Sequence, residues 1–188
     1  FENSDEIIDF KQLSNFLDHH IFKIEKLTGK FIKNITLIIE NEKTFFMDMG
    51  IKKKNYEPKI SKIYLENILT EAKDLFKDTN QHQKIIHMLI KNYKIDGMNF
   101  SQLSNNINSD HLCLEIKFIS ISIKITTHIE KMLENYQIQV GKYIDYNYIL
   151  NFFEGSDIKL SEMAHKIQNG INENEVTVIP KNIKKTGF

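Results

Sequence analysis

Residues 84–97, KIIHMLIKNYKIDG, constrain the fold of this chain more than any other segment. The first half is a nearly continuous apolar run, which is typical of a strand covered on both faces. The second half alternates apolar and polar residues, so one face of the strand turns toward solvent. Asp96 and Gly97 follow, and both residue types tolerate the positive φ angles of a tight turn. The segment therefore predicts a central strand that ends in a turn.

Composition limits the classes of protein to consider. The chain has 188 residues and 41% apolar content, enough for one domain of moderate size with a real core. Its 25 basic and 25 acidic residues cancel, which argues against a nucleic-acid surface. The single cysteine, Cys113, excludes an internal disulfide and favours a reducing compartment. No apolar run is long enough to span a bilayer, and we expect no signal peptide.

Hydrophobic periodicity switches between two and 3.6 residues along the chain, which predicts an α+β fold. We expect an antiparallel sheet of residues 44–49, 84–95, 112–118 and 137–144, with helices beginning at Ser61 and Ser122 packed against it. The remaining elements are a helix capped by Asp9 or Ser14 and ending at Gly29, strands at 32–40, 149–153 and 176–179, and a helix at 160–168. Residues 52–58 are expected to form a loop, either a solvated one or a basic patch for an acidic partner.

The apolar alternation changes phase after Phe118. Residues 112, 114, 116 and 118 are apolar up to that point, and 119, 121, 123 and 125 are apolar after it. Because a slip of one residue turns every side chain to the opposite face, the strand must bulge or stop. We expect it to stop, with Ser122 capping the next helix.

The sequence offers no constellation of residues suited to catalysis. The seven glycines are never adjacent, so no glycine-rich loop is present to hold a phosphate, and no ATP or other cofactor is expected. His82 and His87 are badly spaced for metal binding, and we expect His87 to be a packed strand residue. Cys113 lies in an alternating strand, where a half-buried structural role is the ordinary explanation. We predict no catalytic, metal or cofactor residue, although an enzyme with a cleft of ordinary polar residues stays an alternative.

The order of elements resembles a known family. Residues 44–144 resemble the subdomain inserted into FtsA, the actin-like bacterial cell-division protein. The most specific similarity is Ile-Ile-His-Met-Leu at 85–89 followed by Tyr-Lys-Ile-Asp-Gly at 93–97. Leu-Cys-Leu-Glu-Ile at 112–116 is similar to the next strand of that subdomain, and Ile-Gln-Val at 138–140 to the last. Residues 9–40 and 149–180 resemble parts of the actin-like fold on either side.

The resemblance implies three segments: an actin-like remnant at 1–43, the inserted subdomain at 44–145 and a second remnant at 146–188. It implies a non-catalytic division scaffold that acts through protein–protein contacts and self-association at the septum, because the inserted subdomain of the family supports both. The expected location is the cytoplasm, at the inner face of the membrane at the division site. An unrelated α+β binding or dimerisation module is the alternative.

The chain also departs from the family. The Asp-Ile-Gly strands that hold ATP in FtsA have no counterpart, since the chain starts after the first and passes from Ile144 to Ile149 where the second belongs. The main surface for FtsZ lies in the half that is missing, so other division proteins are expected as partners instead of FtsZ. The membrane anchor of the family would follow Phe188.

Four residues of the central strand are the predicted partner-binding site. Asn92 and Lys94 lie where the strand emerges toward solvent, and Lys91 adds a second charge beside them. Tyr93 is included because it carries the resemblance, and we expect its substitution to disturb packing. An unpaired edge of the sheet would offer a further template for a partner strand.

Overall fold

The computed structural model describes residues 9–56, 59–103 and 108–176. Within these ranges the chain forms five helices and six strands, which confirms the α+β class. In chain order they are α1 (Phe10–Thr28), β1 (Asn34–Ile39), β2 (Phe45–Lys54), α2 (Lys62–Thr79), β3 (Gln83–Ile95), β4 (Met98–Phe100), β5 (His111–Ser122), α3 (Ile123–Glu134), β6 (Gln139–Asp145), α4 (Tyr146–Phe152) and α5 (Leu160–Gln168).

The strands form two sheets. The larger is antiparallel with the order β2-β5-β3-β4, so three of its four strands match the prediction. The prediction was wrong for β6, which pairs in parallel with β1, from Asn34 opposite Gln139 to Ile39 opposite Asp145. The physical reason is a shared core, because β1 and β6 bury residues in the same apolar cluster as the helices α1 and α3 that precede them.

Contacts divide the described chain into two units, each built from separate segments. Unit 1 contains residues 9–45, 80–86 and 119–171, and unit 2 contains the described residues of 46–79, 87–118 and 172–176. The three consecutive segments implied by the resemblance stay a prediction. The core of unit 1 contains Leu17, Ile39, Ile121, Ile129, Leu133, Ile138 and Tyr143.

The core of unit 2 lies under α2. Phe76 of α2 stacks on Phe118 of β5 with ring centroids 4.7 Å apart, and both rings are fully buried. Ala72 and Ile68 of the same helix are buried one turn and two turns before Phe76. This spacing of three to four residues is the apolar stripe that the sequence predicts for α2.

The helix starts follow the predicted caps. Asp9, not Ser14, caps α1, because its Oδ1 accepts a hydrogen bond from the Gln12 backbone N–H at 3.0 Å. Ser61 Oγ accepts from the Tyr64 N–H at 3.2 Å at the start of α2, and Ser122 Oγ accepts from the Lys124 N–H at 3.2 Å at the start of α3. Gly29 ends α1 with φ of 67°, as predicted.

The predicted end of β2 at Gly50 was wrong, as was the loop from residue 52. The strand continues to Lys54, so the three lysines at 52–54 are strand residues. Burial of Ile51 and a hydrogen bond from the Asn55 N–H to the Asp110 carbonyl at 2.7 Å hold this part against β5. The last two residues of the predicted loop, 57 and 58, lie outside the described residues.

The strand β5 does not stop after Phe118, contrary to the prediction. It continues to Ser122, where α3 begins as predicted. Both faces of the strand are covered in this part, because four consecutive residues are buried: Phe118, Ile119, Ser120 and Ile121. The change of phase therefore exposes no apolar side chain to solvent. Ser120 Oγ donates toward the Phe45 carbonyl, at 3.4 Å, which satisfies the one polar side chain of the four.

The turn at Asp96 and Gly97 is confirmed. Their φ angles are 46° and 92°, and Ile95 pairs with Met98 across them. Two consecutive positive φ angles match a two-residue hairpin of the kind that Asp-Gly favours. The sequence did not predict β4, which forms the short second arm of this hairpin.

The C-terminal elements follow the prediction in part. Residues 149–153 were predicted as a strand, but α4 occupies them, because Asp145 Oδ1 accepts from the Tyr148 N–H at 2.8 Å and starts a helix. Helix α5 has the predicted bounds, and Gly170 follows it with φ of 77°. The strand predicted at 176–179 lies outside the described residues, apart from Val176.

Candidate interaction surface

The large sheet of unit 2 has two faces, of which one is packed under α2. We call the second one the outer face. On β5 the buried residues Leu112, Leu114, Ile116 and Phe118 alternate with Cys113, Glu115 and Lys117, which therefore lie on the outer face.

The predicted partner-binding residues connect to this outer face. Lys91 is exposed and its Nζ lies 3.3 Å from Oδ2 of Asp48 on β2. Asn92 is half-buried and its amide donates to Glu115 Oε2 on β5 at 3.4 Å. The structure thus joins residues of three strands that are far apart in the sequence.

Lys94 and Tyr93 occupy different environments. Lys94 is exposed and lines a groove of about 430 Å³ together with Lys52, His111 and Cys113. Tyr93 is only 5% exposed, and burial raises the pKa of its hydroxyl. Tyr93 therefore belongs to the core of unit 2, between the half-buried Asn92 and the exposed Lys94.

β2 is the edge strand of this sheet, a feature that the sequence did not identify. It pairs only with β5, and within the described ranges no strand pairs with its other edge. The side chains of Phe46, Asp48, Lys52 and Lys54 are exposed along it. The Lys117 ammonium lies 5.0 Å from the centroid of the Phe46 ring, a cation–π contact on the outer face.

Unit 1 has a second exposed surface, on α1 and just after it. Phe16, Ile24, Leu27 and Phe31 are large apolar residues that remain exposed, and Leu27 and Phe31 are 86% and 82% accessible. The spacing of Phe16, Ile24 and Leu27 on the helix places them beside the buried Leu17 and the partly buried Leu13 and Ile21. We call these four residues the α1 apolar surface. The spacing of Leu13, Phe16, Leu17, Ile21, Ile24 and Leu27 predicts one buried stripe. The exposure of Phe16, Ile24 and Leu27 corrects this prediction.

Three titratable groups of unit 1 form a compact network. Glu130 Oε1 accepts from Lys84 Nζ at 2.6 Å and from the Tyr143 hydroxyl at 2.8 Å. Burial alone would raise the pKa of Glu130, but these two hydrogen bonds outweigh it and lower the pKa. Burial and the bond to Glu130 raise the pKa of Tyr143. The groups satisfy one another, which is the ordinary arrangement of a structural network.

His87 is buried in β3, as predicted, and its partner is Glu175. The side chains are 0% and 8% exposed, and Nδ1 lies 2.9 Å from Glu175 Oε1. The chain around Glu175 also pairs with β3, because Ile90 N–H donates to the Asn174 carbonyl and Val176 N–H to the Met88 carbonyl. The two side chains are 88 residues apart, so sequence spacing could not have revealed the pair.

The described ranges, residues 9–56, 59–103 and 108–176, contain neither a candidate metal site nor a candidate membrane-spanning helix. There, no group of three or more His, Cys, Asp or Glu side chains is placed to hold a metal ion. None of the described helices combines the length and the apolar character that crossing a membrane requires.

Comparison with known proteins identifies no family for this chain. No family model matches the chain, and no curated protein matches it significantly. The function has to be inferred from the surfaces described above.

Proposed function

We propose that this protein is a non-catalytic scaffold of bacterial cell division, which binds other division proteins and associates with itself. The observation that carries the proposal is the α1 apolar surface. Soluble proteins seldom expose several large apolar side chains side by side unless a partner covers them. Phe16, Leu27 and Phe31 are 53%, 86% and 82% exposed, and aromatic residues are enriched at the centre of protein interfaces.

The division setting rests on the resemblance to the inserted subdomain of FtsA. Its most specific part, residues 85–97, forms one strand and a tight turn. Of the residues expected toward solvent, Lys94 is exposed and Asn92 is half-buried. Lys91 and Lys94 place positive charges near the negative charges of Glu115 and Asp48. A surface of mixed charge suits a partner that carries both positive and negative groups. We propose these residues as a second contact with division proteins.

A binding or dimerisation module with no role in division is the second candidate. The pairing of β6 with β1 favours it, because the resemblance predicts β6 in the antiparallel sheet. The two candidates share the surfaces and differ only in the partners.

Site-directed photo-crosslinking in growing cells tests the proposal. A photoreactive amino acid at Leu27 should capture division proteins, since this side chain is 86% exposed within the α1 apolar surface. The matched control is Lys26, which is exposed on another face of the same helix and should capture far less. Adding Phe16→Ser and Phe31→Ser should abolish capture at Leu27 without unfolding the protein, because both rings are exposed.

Three outcomes would contradict the proposal. Capture at Leu27 no greater than at Lys26 would show that no partner covers the surface. Capture of lipid instead of protein would assign the surface to a membrane. Capture only of proteins without a role in division would favour the second candidate.

A further inference from the structure

Among the described residues, no strand pairs with the edge of β2 that faces away from β5. The Asn55 N–H donates to the Asp110 carbonyl, and the Phe45 carbonyl accepts from Ser120 Oγ, so residues at both ends of β2 face β5. In an antiparallel ladder, successive residues direct their backbone groups to opposite sides. The even-numbered residues from 46 to 54 therefore direct their N–H and carbonyl groups away from β5. The Tyr64 hydroxyl donates to the Lys54 carbonyl at 3.1 Å, which agrees with this assignment.

The side chains of the same residues form a self-complementary charge pattern. Asp48 and Lys52 are both exposed, on the same face of the strand, and lie two residues before and two residues after Gly50. If two copies of β2 pair antiparallel with Gly50 opposite Gly50, Asp48 of each copy lies opposite Lys52 of the other. Directly opposite residues of opposite charge stabilise a strand pair.

The backbone limits pairing to registers that join even-numbered residues, and the charges favour one of these. The pairs Gly50 with Gly50 and Asp48 with Lys52 join even-numbered residues, whose backbone groups all point outward. A register that differs by one residue would match outward groups with inward ones.

Gly50 fits the same arrangement. A Cβ at this position would have no atom within 4 Å, so no contact inside the chain requires a glycine. Glycine within a strand weakens it and often marks the close approach of another backbone. In the symmetric register Gly50 lies at the centre, where two backbones meet.

We propose that β2 of one copy pairs antiparallel with β2 of a second copy, with Gly50 opposite Gly50 and Asp48 opposite Lys52 in both directions. The pairing joins the two antiparallel sheets into one. It rests on the proposed function, because it assigns the surface through which the scaffold associates with itself. The ion pair of Asp48 with Lys91 in the same copy is exposed and leaves room for a second donor to the carboxylate.

Charge exchange tests the register with the full-length chain. Sedimentation velocity over a range of concentrations should show a reversible dimer of the wild-type protein. In the proposed dimer, residue 48 of each copy lies opposite residue 52 of the other, so there are two such pairs. In Asp48→Lys both pairs consist of two lysines, and in Lys52→Asp both consist of two carboxylates. Each single variant should weaken dimerisation by about tenfold or more.

The double variant Asp48→Lys/Lys52→Asp should dimerise like the wild-type protein, because the opposite charges return in exchanged positions. A mixture of the two single variants should form heterodimers. Lys77→Asp, an equal charge change at an exposed site on α2, is the control and should leave the dimer intact. Circular dichroism verifies that each variant is folded.

Each contrary result has a defined meaning. A wild-type protein that remains monomeric at all concentrations, or single variants that dimerise normally, would overturn the β2 pairing. So would folded single variants that fail to form heterodimers when mixed. These results leave the proposed function standing if Leu27 still captures division proteins, whereas loss of that capture with an intact β2 dimer would overturn the function alone.

Discussion

Removal of the Asp145 carboxylate should destabilise unit 1 by a predictable amount. The residue is fully buried, and its Oδ1 caps α4 by accepting from the Tyr148 N–H at 2.8 Å. Its Oδ2 accepts from the Thr44 hydroxyl at 3.3 Å. In Asp145→Ala, loss of the cap costs about 1 kcal/mol and the unsatisfied hydroxyl of Thr44 costs about 1–3 kcal/mol. The sum is about 2–4 kcal/mol, which corresponds to a fall in Tm of roughly 5–15 °C for a chain of this size.

Thermal unfolding followed by circular dichroism measures this fall, with Asp145→Asn as the matched control. Asparagine caps helices about as well as aspartate, so this variant should retain most of the stability. Equal Tm values for wild type and Asp145→Ala would refute the assignment of Asp145 as the cap of α4. An Asp145→Asn variant as unstable as Asp145→Ala would show that the charge, not the cap, carries the stability.

Two further predictions concern charged residues. The hydrogen bonds from Lys84 and Tyr143 lower the pKa of Glu130 below its ordinary value of 4.5 although burial alone would raise it, so folding stabilises the charged form. Urea unfolding measures the free energy by which wild type is more stable than Glu130→Gln. This difference should be largest above pH 4.5 and should shrink as the pH falls through the lowered pKa of Glu130. A difference that does not change with pH would contradict the prediction. Reversal of Lys91 and Lys94 to Glu should change the free energy of unfolding by only about 0.5 kcal/mol each, because exposed ion pairs contribute little, but should weaken association with partner proteins. Unchanged association in a pull-down assay, with Lys77→Glu as control, would exclude these lysines from the interface.

The sequence predicts features that depend on neighbouring residues. Asp9 and Ser122 cap helices because each has a hydrogen-bond donor two or three residues ahead, and the Asp96–Gly97 turn follows from the conformations that these residue types allow. Alternation alone also predicts that Lys94 is exposed while Tyr93 is buried. These parts of the fold need no knowledge of the rest of the chain.

Features that depend on distant residues could not be predicted in this way. The choice of β1 as the partner of β6 depends on which apolar faces can share one core, and alternation within β6 is the same in either sheet. The continuation of β5 past Phe118 requires knowledge that both of its faces are covered there. The ion pair of Lys91 with Asp48 and the free edge of β2 follow from the strand order, which the sequence does not specify.

Imaging of a fluorescent fusion in dividing cells tests the central claim most directly. The claim is that the protein is a division scaffold that uses the α1 apolar surface to bind its partners. The wild-type fusion should form a band at the division site, and the variant Phe16→Ser/Leu27→Ser, produced at the same level, should be diffuse. A wild-type fusion that stays diffuse throughout septation, or a variant that forms the same band as wild type, would contradict the account.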